Sequence, residues 1–148
     1  MTTRRFLLIY LLMMIVVSLS PIFFPSPKYD TILYMIYATS LIILSFIPSI
    51  IGIKIACKYH LFIAWVVIVC YWGFSWLLLW VNPYVFGLIA PATWLWSPFG
   101  DIVDMNVEQT VMIGASVHFL VNLLFLLLLF MKEYSKKKNR YIYAGIDG

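Results

Sequence analysis

His118 and Asn122 stand four residues apart in an otherwise apolar stretch, with Gly114 one step before them and Ser116 between Gly114 and His118. On a helix, an i, i+4 spacing stacks side chains along one stripe. An imidazole, a carboxamide and a small residue therefore share a face. Polar groups in so apolar a setting are costly and turn toward protein or a water-filled cavity. Two chemistries fit this stripe. One is a polar site open to one side of a membrane. The other is a set of interhelical hydrogen bonds, with Ser18, Ser20 or Ser75 as partner, worth about 1 kcal/mol.

A second group lies in the segment 82–110, where Asp101, Asp104 and Glu108 recur at offsets of 0, 3 and 7. If helical, that spacing places three carboxylates on one face. It suits the positive end of a helix dipole, a docking patch for a basic partner or a weak Ca²⁺ site. Calcium loops of the EF-hand type need a different spacing, which is absent, so no metal is expected. Tyr84, Phe86, Trp94, Trp96 and Phe99, punctuated by Pro83, Pro91 and Pro98, precede the acids. Such composition predicts a broken amphipathic segment lying in the headgroup region, with Trp94, Trp96 and the acidic trio as an outer interaction surface.

Catalytic signatures are missing: the chain has no His-Glu-x-x-His, Cys-x-x-Cys, Walker loop or Gly-x-Ser-x-Gly motif. Its two cysteines, Cys57 and Cys70, are read as small hydrophobes. The expectation is a non-enzymatic protein without cofactors.

The elements that must carry these residues follow from composition. Of 148 residues, 64% are hydrophobic and 11% charged, with a mean hydropathy of +0.99. Soluble domains run at about 45–50% apolar and 25% charged, so the surplus apolar surface calls for lipid as solvent. Four uncharged runs, 6–24, 31–53, 61–81 and 111–131, reach the roughly 20 residues that span a bilayer as a helix. The predicted fold is an all-α integral membrane protein. Four transmembrane helices form an antiparallel bundle in one domain, with a long aromatic-rich outer loop, 82–110, between helices 3 and 4.

Nine of the ten basic residues fall at the N-terminus, in the second connection and in the tail 132–148. The positive-inside rule then puts both termini in the cytoplasm. Lys136, Lys137, Lys138 and Arg140 read as an anchor to anionic lipid rather than a nucleic-acid site. The first run continues past Ser18-Leu19-Ser20 through Pro21, which predicts an uncleaved first helix rather than a signal peptide.

Within the bundle, Ala38, Ser45, Pro48, Ser49 and Gly52 share a narrow face suited to close helix packing, with a kink expected at Pro48. Trp65, Trp72, Trp76 and Trp80 share a face of the third helix, about 80° wide at 100° per residue. Together these features predict a small multi-pass protein of a bacterial inner membrane. It would act by binding another membrane protein, as an immunity-type protein or accessory subunit. The alternative is a conduit or lipid-handling protein that uses the His118/Asn122 stripe and the tryptophan face.

Overall fold

The computed structural model describes residues 1–23, 26–27, 31–81 and 91–144. Side chains of residues 79–80, 91–92, 94 and 136–144 lie outside the description, as does the backbone of the remainder. Every regular element among the described residues is helical: α1 (Thr3–Ser18), α2 (Ser20–Phe23), α3 (Thr31–Tyr59), α4 (Phe62–Val81), a 3₁₀ segment (Pro91–Trp96), α5 (Ser97–Ile102) and α6 (Val107–Ala144). Three stretches are long and apolar enough to cross a membrane: Thr3–Phe23, Thr31–Tyr59 and Val107–Ser135. By length and composition these helices are compatible with a membrane protein.

Helix ends are set by local chemistry. Thr2 caps α1, its side chain accepting from the Arg5 N–H. The helix pauses at Leu19, two residues before Pro21, and resumes as one further turn. The connection expected over 54–60 is instead helical almost to its end. α3 stops at Tyr59, and His60 takes a left-handed φ of 53°. The Leu61 N–H then reaches back to the Ala56 carbonyl at 3.0 Å, closing a Schellman turn. Leu61 and Ala56 both join the buried core. Only His60 and Leu61 separate α3 from α4, and the two helices pack against each other.

The start of α6 falls four residues before the expected 111. Asn106 accepts from the Gln109 N–H at 2.8 Å, and the Gln109 side chain returns a bond to the Asn106 N–H at 3.4 Å. This reciprocal capping box satisfies two donors of the first turn. At its other end α6 continues through residues expected as a tail. Lys, Glu and Arg are good helix formers, and nothing in 132–144 breaks the run. Lys136, Lys137, Lys138 and Arg140 thus lie in the last turns of α6.

The core runs between α1, α3, α4 and α6. Phe6, Tyr10 and Met14 enter it from α1, Trp65, Ile68 and Trp72 from α4, and Val111, Ala115 and Leu129 from α6. Away from this core the helices expose large apolar side chains, such as Val16, Ile36, Ile63, Phe74 and Leu124.

The segment 82–110 corrects the expectation of a loop lying on the bundle's rim. Residues 82–90 lie outside the described residues, but Pro91–Trp96 packs against α1, α3 and α6. Thr93, Leu95 and Trp96 are buried. An indole has enough apolar area to favour burial wherever its N–H finds an acceptor, and Trp96 finds one inside.

Candidate functional site

The polar residues of the apolar interior converge on His118. Ser45, on α3, has one hydroxyl hydrogen, which it donates to the Ile42 carbonyl at 2.6 Å. Its oxygen accepts from Trp96 Nε1 at 3.3 Å and meets His118 Nε2 at 3.1 Å. One serine therefore joins α3, α6 and the returning 3₁₀ segment. The imidazole lies between two rings, stacked on Phe46 at 4.3 Å and nearly parallel to Trp72 at 4.5 Å. The Trp96 ring meets its edge at 6.4 Å.

One turn along α6, Asn122 donates from Nδ2 to the His118 carbonyl at 2.8 Å. The Asn122 carbonyl accepts from Trp65 Nε1 at 3.0 Å. Trp72 donates to the Tyr10 hydroxyl at 3.1 Å, which in turn meets Ser49 Oγ at 3.2 Å. Trp76 donates to Ser116 Oγ at 2.9 Å. The indoles of Trp65, Trp72, Trp76 and Trp96 thus each find an oxygen inside the bundle. This follows from the cost of leaving a donor unpaired where no water competes. His118, Asn122, Ser45 and Ser49 have no measurable exposure.

Glycines make the approach possible. A Cβ on Gly114 would lie 2.9–3.1 Å from the Trp96 indole, and one on Gly52 would lie 2.9 Å from Trp65. Ala38, Ser45, Pro48, Ser49 and Gly52 are all buried. The serines do not serve the carbonyl freed by Pro48: Ser45 bonds to Ile42 and Ser49 to Tyr10.

Two further expectations are corrected. The partner of His118 is Ser45 rather than Ser18, Ser20 or Ser75, and Ser18 bonds to its own helix at the Met14 carbonyl. Trp96, expected at an outer interaction surface, is 7% exposed. The Trp94 side chain lies outside the described residues.

The acidic trio does not share one helical face, because the chain turns between α5 and α6. Asp101 sits on α5 and accepts from the Tyr34 hydroxyl at 2.6 Å, tying α5 to the start of α3. Asp104 occupies a left-handed residue at φ 55°, and Glu108 lies in the first turn of α6. Asp101, Asp104 and Glu108 are all exposed. At the opposite end of α6, His60 Nδ1 and Glu133 Oε1 pair at 2.6 Å. No three His, Cys, Asp or Glu side chains converge as a metal site among the described residues.

Sequence reasoning missed Tyr10 and Phe46. A tyrosine inside an apolar run signals a hydroxyl in need of a partner, and that signal was available. Phe46 carries none, since its role is defined by the ring it covers. Comparisons with protein-family models, with curated proteins and with solved structures found no match.

Proposed function

We propose that this chain is a four-span protein of a bacterial inner membrane, with both termini cytoplasmic. It acts without catalysis, by binding another membrane protein in the manner of an immunity protein or accessory subunit. The fourth crossing is α4, whose 20 residues extend about 30 Å at 1.5 Å per residue, the thickness of the hydrocarbon layer. The orientation rests on nine of ten basic residues falling at the two ends and the second connection.

The observation that supports binding over conduction is the enclosure of the polar core. His118, Asn122 and Ser45 have no exposure, and most of their hydrogen bonds tie helix to helix. Recognition then belongs to the surface. Thr39 and Ser40 are exposed on α3, beside exposed Met35 and Ile36. Their hydroxyls donate to the Met35 and Ile36 carbonyls at 2.8 and 2.7 Å, leaving oxygen lone pairs outward. In lipid, small hydroxyl-bearing positions favour contact with another helix. Exposed Asp104 and Glu108 lie toward the same end, which the Tyr34–Asp101 bond fixes.

A photo-crosslinker placed at Ser40 in living cells tests this reading. The expected product is one discrete membrane-protein adduct, absent when the crosslinker sits at Phe74 on the exposed side of α4. Lipid adducts alone at both positions would overturn it. A second reading, lipid handling, draws on an apolar groove of about 180 Å³ between α1 and α4, lined by Leu7, Tyr10, Met14, Ile68 and Tyr71 among others. That reading expects Leu7→Trp, which would fill the groove, to abolish function while Thr39→Leu and Ser40→Leu leave it intact. Binding expects the reverse.

A further inference from the structure

The hydrogen-bond inventory around Ser45 fixes the state of His118. The single Ser45 hydrogen is committed to the Ile42 carbonyl, so the Ser45 oxygen has only lone pairs to offer. Trp96 Nε1–H occupies one of them. His118 Nε2, at 3.1 Å, must then be the donor, which places its proton on Nε2. In the neutral ring Nδ1 becomes an acceptor. That acceptor is buried and has no partner among the described residues.

Asn122 presents the same deficit. Its Nδ2 donates to the His118 carbonyl, which leaves Oδ1 as an acceptor, also buried and without a partner. Both unsatisfied atoms are therefore acceptors. Both side chains project from one stripe of α6, a turn apart, where Cβ atoms stand about 5–6 Å from each other. Phe46 and Trp72 cover the faces of the imidazole, so a donor to Nδ1 must arrive in the ring plane.

We infer that His118 Nδ1 and Asn122 Oδ1 form a binding site for one internal water molecule, which donates one hydrogen to each. Water has the two donors that the two acceptors require, and buried waters characteristically serve polar groups that protein cannot satisfy. The site is independent of the proposed partner surface on α3. It also makes the Nε2–H tautomer self-consistent: Ser45 demands a donor on one edge of the ring, and the water supplies one on the other.

The test is nitrogen-15 NMR of the histidine-labelled full chain in lipid nanodiscs, with His60→Gln used to assign the two histidines. For His118 the expected result is a proton on Nε2 alone, an unprotonated Nδ1 that accepts a hydrogen bond, and magnetisation transfer from water to the ring protons. In Asn122→Leu, the transfer should be lost and Nδ1 should move to its non-hydrogen-bonded position, while Nε2–H remains on Ser45. A proton on Nδ1, absence of water transfer in the unmodified chain, or an Nδ1 signal unmoved in Asn122→Leu would each overturn the site. If Asn122→Leu does not fold, the tautomer and water transfer of the unmodified chain decide alone.

Discussion

Ser45 is the residue on which the interior depends, because it takes two donors from two other elements while its own hydrogen is engaged. Ser45→Ala leaves the Trp96 and His118 N–H groups buried without an acceptor. An unsatisfied buried donor costs about 1–3 kcal/mol. Ser49→Ala is milder: the Tyr10 hydroxyl keeps the Trp72 donor and loses one interhelical bond, worth about 0.6 kcal/mol in a membrane. Unfolding in mixed micelles should therefore rank Ser45→Ala well below Ser49→Ala in stability, and the reverse order would contradict the network. That an imidazole at 118 needs a partner was legible in the sequence, from its isolation in an apolar run. Which serine supplies it was not. The bond joins residues 73 positions apart, and helical periodicity reports only which side chains share a face.

Glycine and the caps act at the level of elements. Gly114 is where α6 receives the returning 3₁₀ segment, and the Trp96 indole over it is held by its bond to Ser45 and its contact with Phe46. A methyl group there has nowhere to go. Gly114→Ala should destabilise the protein by about 1–3 kcal/mol, the usual range for overpacking. Gly73→Ala should cost less, since its new Cβ would meet the ring edge of half-buried Phe119 at 3.0 Å. Tryptophan emission should shift in Gly114→Ala alone as Trp96 leaves its seat. At the N-terminus of α6, Asn106→Ala removes the cap and should cost about 1 kcal/mol, read as a lower unfolding midpoint. The Asn106-Val-Glu-Gln109 box was present in the sequence and marks the helix start four residues earlier than hydropathy does. The inward course of Pro91–Trp96 had no local signature. Prolines announce a break in regular structure but not the direction in which the chain then travels.

At the scale of the whole molecule, hydropathy identified the apolar helices because lipid selects for one property, continuous apolar surface, that a sequence displays directly. Side and number of crossings depend also on charge placement, and α4 decides between them. If α4 crosses, the His60 turn and the C-terminal part of α6 share a side, in keeping with the His60–Glu133 pair. The native cysteines offer a direct measurement. Cys70 is the ninth residue of the 20-residue α4 and is exposed on the bundle surface, about 12 Å along the helix from its start. In a crossing helix that position faces the middle of a hydrocarbon layer about 30 Å thick. A thiol there is surrounded by lipid, a medium that a charged reagent enters only at high cost. In a Cys57→Ser background, a charged maleimide should leave Cys70 unmodified in intact membranes and label it once detergent and denaturant are added. In His60→Cys, the new thiol should be labelled only when the cytoplasmic side is opened. Ready labelling of Cys70 in sealed cells would place α4 outside the lipid and overturn the four-span reading.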